Sequence, residues 1–257
     1  MTSQLPSYVT VHSRTYALPK QPTVAVCVDG FDPEYLAQGV ANGILPNLAY
    51  FIDHGFHTTA KSCMPSFTKP NNVSIITGVP PSIHGIAGNF YLDPVNHEEK
   101  MITDATLLRG PTILQQLSKR GVRVVAITAK DKLRRIVSHD LENAICFSAE
   151  FAGEATIETN GISGVEEWIG RKAPLQYSGD LSLYVLDAGV KFIEEGRADS
   201  MYLTLSDLGE HRLRSHGGLS EQDVPILMSI PLGSQLAEEK ATWRNFDIFD
   251  LVLNSQT

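Results

Sequence analysis

TVAVCVD, residues 23–29, is a continuous apolar run rich in β-branched side chains, and it ends on the turn signal Asp29-Gly30. Unbroken apolarity, in place of alternation, marks a strand covered on both faces, as in a parallel sheet packed between helices. Downstream, PEYLAQGVANG from Pro33 and PNLAYFIDHG from Pro46 each set proline in a first helical turn and glycine at the end, so both read as short helices. HTTAKSC returns as a strand. PSFTKPNNVSIITG then puts Thr68 at the cap or first turn of a helix running toward Gly78. TILQQLSKRG, VRVVAIT, AKDKLRRIV and NAICFS continue as helix, strand, helix and strand. The stretch from Ala149 to Gln176 shows no clear period. DLSLYVLDAGVKFIEEG from Asp180 is an amphipathic helix, and SMYLTLSD, residues 200–207, is a second buried strand ending on aspartate. WRNFDIFDLVLN reads as a late helix that offers Phe246, Ile248, Phe249, Leu251, Val252 and Leu253 to a core.

Strands alternating with helices predict an α/β fold, a mostly parallel sheet sandwiched by helices. No repeat and no linker divides the chain, so residues 1–257 read as one domain. In such sheets ligands lie outside the carboxyl ends of the strands, where Asp29, Thr68 and Asp207 would converge.

The chain carries 21 basic and 29 acidic side chains, a net charge of −8. That balance argues against nucleic acid or an anionic membrane as partner, so any phosphate-like substrate must meet a local cluster of positive charge. Nowhere do 18 apolar residues run together, and MTSQLPSYVTVHSRTYALPK lacks the apolar core of a signal peptide. Cys27, Cys63 and Cys146 are an odd count with no C-x-x-C pair, which suits a reducing compartment, and the expectation is a cytoplasmic protein.

An aspartate ending a buried strand is ordinarily a turn or cap residue. Two at neighbouring strand ends, with His211 four residues beyond Asp207 and His216 before Gly217-Gly218, compose a plausible divalent site, whose mix of carboxylate and imidazole zinc accepts. Thr68 supplies a hydroxyl. Its plainer use is as a helix cap, but a hydroxyl at a helix start also faces free N–H groups that bind phosphoryl oxygens and stabilise an alkoxide.

Four segments in order, VDGFDPEYL, MPSFTKPNNVSIITGVPPSIHGIAGNFY, ITAKDKLRR and RSHGGLSEQDVPILM, resemble the phosphonoacetate hydrolases of the alkaline phosphatase superfamily. The resemblance implies an alkaline-phosphatase-like core that binds two zinc ions per chain and a small phosphonate. It implies Asp29 as a metal ligand on the first strand, Thr68 as nucleophile and further ligand, and His216 in RSHGG as a late metal ligand. Asn89 in GNFY becomes an oxyanion-binding amide. Lys130 and Lys132 in KDK become the basic pair for phosphonate and carboxylate.

The sequence departs from that family between Asp207 and RSHGG. The resemblance implies a long insert there, bearing a cap over the substrate and an A-D-H-G motif whose Asp and His complete the metal site beside the nucleophile. Here the strand runs almost directly into LGEHRLRSHGG, as though by an internal deletion near 207–208. The D-x-x-x-H spacing of a first metal site survives at Asp207 and His211. Either these two retain that site, or His211 belongs to the tail and the spacing is accidental. Loss of interior strands would expose apolar sheet edges and favour aggregation or homo-oligomerisation. Asp53-His54-Gly55 ends a helix and is a decoy for the missing motif. Ser138-His139-Asp140 is a polar turn.

Three rival readings stand beside the hydrolase. A phosphodiesterase or nucleotide pyrophosphatase would share the Thr nucleophile and the metals but lack the KDK pair. A sulfatase would use Cys63 in CMPSF, but Phe67 stands where the arginine of C-x-P-S-R is needed. A catalytically impaired remnant would bind phosphate or a partner without turnover.

Overall fold

The computed structural model describes residues 7–176, 178–206, 223–228 and 242–256. In chain order these form β1 (Tyr8–Val11), β2 (Arg14–Ala17), β3 (Thr23–Val28), α1 (Pro33–Ala41), α2 (Pro46–His54) and β4 (Phe56–Lys61). There follow α3 (Thr68–Thr77), α4 (Pro81–His84), β5 (Phe90–Leu92), β6 (Glu99–Met101), α5 (Ile113–Lys119), β7 (Val124–Thr128) and α6 (Asp131–Val137). Then come β8 (Ile145–Ser148), α7 (Ile157–Asn160), α8 (Val165–Ile169), α9 (Asp180–Glu194), β9 (Ser200–Leu205), β10 (Asp223–Met228) and α10 (Ile248–Asn254).

The central sheet has the order β3-β9-β7-β8, all parallel. Its apolar strands are covered on both faces, as continuous apolar runs require. On one face Ala126 of β7 and Tyr202 of β9 pack with Ile76 of α3, Leu117 of α5 and Phe249 of α10. On the other, Ile127 and Leu203 pack with Tyr184, Val185 and Phe192 of α9. After β8 the chain reverses and inserts β9 between β3 and β7, so three carboxyl ends bearing Asp29, Ser206 and Ala129-Lys130 lie side by side. Among the described residues β3 is an edge, and Val26 on it is 45% exposed.

The strand in HTTAKSC does not join this sheet. It is β4, paired antiparallel with β10 over Phe56–Lys61 and Asp223–Met228. DVPILM carries Pro225, which cannot donate to a ladder and so suits a two-stranded pair better than a central strand. Phe56, Ile226, Trp243 and Leu251 seal this pair against α10. The region without a clear period, 149–176, proves to be a 3-10 turn at Ala152–Glu154 followed by α7 and α8, helices too short to display periodicity.

Helix α3 is buried nearly all round, since eight residues from Lys69 to Thr77 are inaccessible. Its end is fixed by Gly78, whose φ of 72° and close approach to Tyr16 leave no room for a Cβ. Arg14 donates to the Gly78 carbonyl at 2.7 Å and pairs with the buried Asp247 at 2.9 Å. The β1–β2 hairpin and the C-terminal segment thereby clamp one end of the helix whose other end bears Thr68.

Candidate active site

Cys27 and Asp29, Thr204 to Ser206, and Ala129 and Lys130 line one small cleft of about 50 Å³ outside the carboxyl ends of β3, β9 and β7, with Thr68 and Asn72 closing it. Phe67 occupies the capping position of α3, and its own side chain makes no capping hydrogen bond. Thr68 is therefore the first helical residue, and its Oγ1 donates to Asp29 Oδ2 at 2.9 Å. The hydroxyl is engaged by a strand-end carboxylate and is not spent on capping. The arrangement sets a hydroxyl oxygen at a helix start beside a strand-end carboxylate, chemistry that can bind an anion or activate the oxygen.

The helix start is held from behind by two adjacent amides. Asn71 Nδ2 donates to the Phe67 carbonyl and Asn72 Nδ2 to the Thr68 carbonyl, each at 2.9 Å. Asn71 Oδ1 in turn accepts from the Cys63 amide at 3.0 Å and from Asn245 at 2.5 Å. Asn72 Oδ1 accepts from Tyr202 Oη at 2.7 Å, so the central strand β9 is wired to the Thr68 peptide. Burial holds the Tyr202 hydroxyl well above its ordinary pKa, which keeps it a donor. Pro70 lacks an N–H where the first turn needs none.

Asn89 Oδ1 accepts from the Lys69 amide at 3.3 Å. With its oxygen so committed, the amide presents its NH2 as donor, as an oxyanion contact requires. Lys130 sits at the capping position of α6 and lines the cleft with Thr68. Lys132, exposed, is not among the residues lining it. Between them Asp131 anchors the helix, with its carboxylate bound by Arg134 and Arg135. Burial raises its pKa, but the two guanidiniums overcome that and hold it below the ordinary value. Lys69, buried beside Thr68, has its pKa lowered first by desolvation and then by Lys132.

The structure thus brings together Asp29, Thr68, Asn89 and Lys130 around one helix start and leaves Lys132 outside the cleft, while Asp207, His211 and His216 lie outside the described residues. Among the described residues no three His, Cys, Asp or Glu side chains converge as a metal site. Asp29 and Thr68 are two oxygen donors, which suits one side of a zinc shell but does not complete it. His54 is the last residue of α2, exposed, with Nδ1 against the Tyr50 carbonyl, as expected of a decoy. His139 lies in the exposed turn after α6. Cys63 is buried, and burial pushes its thiol to about 11, so CMPSF offers no accessible sulfur. Lys69, Asn71, Asn72 and Tyr202 were not legible as site residues from the sequence. Their one signal was two consecutive asparagines inside a helical turn, where that residue is unfavourable without a bonding role.

The model of the type I phosphodiesterase / nucleotide pyrophosphatase family matches residues 23–208. The chain belongs to this family. The family match begins with β3 and includes Asp29, Thr68, Asn89, Lys130 and Lys132. A crystal structure of phosphonoacetate hydrolase from Sinorhizobium meliloti 1021 in complex with phosphonoacetate is 44% identical, with a TM-score of 0.77 over 80% of this chain and 51% of that one. The same enzyme in complex with phosphonoformate is 39% identical, also at 0.77, over 96% of this chain and 56% of that one. Phosphonoacetate hydrolase of Penicillium oxalicum is 72% identical over 25 residues, 10% of this chain and 35% of that protein. The chain spans about half the length of the solved structures it matches. These likenesses bear out the alkaline-phosphatase-like α/β core and its resemblance to phosphonoacetate hydrolases in a shortened form.

Proposed function

We propose that the chain is a metal-dependent phosphonoacetate hydrolase, cleaving a carbon–phosphorus bond to give acetate and phosphate. The observation that carries the reading is the Thr68 Oγ1 to Asp29 Oδ2 bond at the mouth of a cleft shared with Lys130, in a chain 44% identical over most of its length to such an enzyme. Zinc, when bound, would supply Lewis-acid activation of a hydroxyl and charge for phosphoryl oxygens. Asp29 and Thr68, with Asp207, His211 and His216, are the residues assigned to hold it.

The chain's own groups have definite tasks. Asp29 accepts the Thr68 hydroxyl hydrogen bond and orients the oxygen for attack on phosphorus. As the oxygen–phosphorus bond forms, the Thr68 hydroxyl proton passes to Asp29, and as the carbon–phosphorus bond breaks, the bonding pair moves to the methylene carbon and into the carboxylate as an enolate. Lys130 and Lys132 offset the charge at the two ends of the substrate, and Asn89 donates to an equatorial oxygen. The carbon then takes up a proton, and water hydrolyses the phosphothreonine. Phosphonoacetate plus water becomes acetate plus phosphate.

The remaining readings follow the same scheme. With three free cysteines the protein is read as cytoplasmic, and the β3 edge, unpaired among the described residues, is read as a site of self-association. No helix among the described residues is long and apolar enough to cross a membrane. The test is phosphate release from phosphonoacetate by the purified chain, with zinc content measured on the same sample. About two zinc per chain with turnover, as the family resemblance implies, supports the hydrolase. No zinc and no release would establish the impaired remnant, and rescue by the family's segment inserted after Asp207 would trace the defect to that junction.

A further inference from the structure

We infer that Glu150 is a positioning residue of the cleft: from just past the end of β8 it caps α6 in place of the lysine at the capping position, and so holds Lys130 toward a bound anion. What the anion is rests on the hydrolase reading above, whereas the placement of Lys130 rests on hydrogen bonds. The residue at a helix's capping position ordinarily commits its side chain to the free N–H groups of the first turn. Lysine carries donors and no acceptor, so Lys130 cannot do this, and it makes no such bond. The amide of Asp131, the first helical residue, instead donates to Glu150 Oε2 at 2.8 Å. Capping from another element leaves the Lys130 side chain to line the cleft with Asp29 and Thr68.

The same peptide is gripped at its other end. Thr128, wholly buried, donates from Oγ1 to the Lys130 carbonyl at 2.9 Å, so both polar groups of the peptide joining Lys130 to Asp131 are engaged. The residue before is fixed from both sides of the sheet: the Ala129 amide donates to the Thr204 carbonyl at 3.0 Å, and the Ala129 carbonyl accepts from the Glu150 amide at 3.1 Å. Glu150 therefore meets this turn twice, with its amide at Ala129 and its carboxylate at Asp131. Ser148, two residues earlier, adds a bond from Oγ to the Asp131 carboxylate at 3.3 Å. These contacts set the direction in which the Lys130 stem departs. Lys132, past the grip, is exposed and does not line the cleft. Through its charge alone, a carboxylate beside a cleft-lining lysine works against a bound anion. The hydrogen bond and the charge of Glu150 thus act with opposite signs, and experiment can tell them apart.

Isothermal titration calorimetry on the purified full chain, supplied with zinc and titrated with inorganic phosphate, tests this. Glu150→Ala should weaken phosphate about five-fold or more, whereas Glu150→Gln, which keeps an oxygen for the Asp131 amide, should stay within about two-fold of the wild type. In a Lys130→Met chain, Glu150→Ala should change phosphate affinity by less than about two-fold, because the stem it places no longer carries charge. Tighter binding in both Glu150 variants would make Glu150 a charge and not a clamp. Unchanged affinity, with or without a lowered melting temperature, would make it a structural cap alone. Equal weakening by Ala and Gln, a weakening that persists beside Lys130→Met, or a wild type that binds no phosphate would also overturn the assignment. Should Glu150→Ala not fold, Thr128→Val, which releases the other end of the same peptide, carries the same comparison. Binding is read apart from turnover: a chain that shows this pattern but releases no phosphate from phosphonoacetate refutes the hydrolase reading and leaves the placement of Lys130 standing.

Discussion

Helices α3 and α6 begin at the same edge of the sheet and are held in opposite ways. The start of α3 is wired inward: Asn71 and Asn72 bind its first two carbonyls, Tyr202 and Asn245 bind those asparagines, and almost the whole helix is buried. The start of α6 is held from the strand side, by Thr128 Oγ1 on the Lys130 carbonyl and Glu150 on the Asp131 amide, with the Asp131 carboxylate bound by Arg134 and Arg135 and Lys132 left exposed in solvent. A reacting oxygen must be placed to within a fraction of an ångström, whereas a cation that attracts a carboxylate tolerates play in a long flexible stem. On the proposed reading of Thr68 as nucleophile, the buried hydrogen bonds behind it serve that placement. Breaking either side should leave a different signature.

The largest effect is expected at Thr68, the oxygen proposed to react. Thr68→Ala should lower phosphate release from phosphonoacetate by about 10³-fold or more, the scale on which loss of a hydroxyl nucleophile is felt. Stability should change by no more than about 1 kcal/mol, since one half-buried hydrogen bond is lost. Steady-state kinetics with a thermal melt checks both. A variant that keeps more than about a tenth of its activity would move the nucleophile elsewhere, because that loss is under about 1.4 kcal/mol of barrier.

A second test reads the buried wiring of α3 through pH. His84 is wholly buried, and its Nδ1 accepts from the Ile86 amide at 3.2 Å, so Nε2 carries the proton and donates to Ser74 Oγ of α3 at 2.9 Å. Burial, then nearby His12, lowers its pKa from 6.5 to about 4. The folded-state value lies below the unfolded one, so the unfolded chain binds the extra proton first. Stability is full above about pH 6.5 and falls as pH drops toward 4. A shift of that size corresponds to about 3 kcal/mol at the bottom of the window. Carboxylates held low, such as Asp131 and Asp199, lose their contribution only below their ordinary range near 4, so among these groups the interval from 6.5 to 4.5 reads His84. Urea midpoints across that interval should slope with pH in the wild type and flatten in His84→Gln.

The same contrast explains what could be read before the fold was known. TVAVCVD, VRVVAIT and SMYLTLSD announced themselves because a strand buried on both faces has no polar side to confuse the pattern. Asp29 and Thr68 were legible because strand ends and helix starts are where such folds place chemistry. Lys69 and Asn72 were not, because α3 is buried on every side and periodicity then selects no face. Tyr202 reads as one more apolar residue in a strand, and only its 2.7 Å bond to Asn72 gives it a role. The β4–β10 pair and the short hairpins β1–β2 and β5–β6 depend on partners distant in sequence or on turns of few residues, so local pattern carried little of them.

The smallest expected effect is also the sharpest test of the comparison. Tyr202→Phe keeps the ring against Phe249 and removes only the hydroxyl that donates to Asn72 Oδ1. A buried amide oxygen left without its donor costs about 1–3 kcal/mol. At about 2–4 °C per kcal/mol for a chain near this size, the melting temperature should fall by about 2–12 °C. Because Asn72 also holds the Thr68 carbonyl, kcat should fall several-fold while KM for phosphonoacetate stays unchanged, since the lysines at the rim are untouched. Lys132→Met should do the reverse, raising KM with no loss of melting temperature, because its side chain is exposed. If Tyr202→Phe lowers the melting temperature and leaves kcat alone, the clamp is purely structural, Asp29 and Asn71 suffice to place Thr68, and the division between a wired nucleophile and a loose cationic rim must be drawn one residue closer to the helix start.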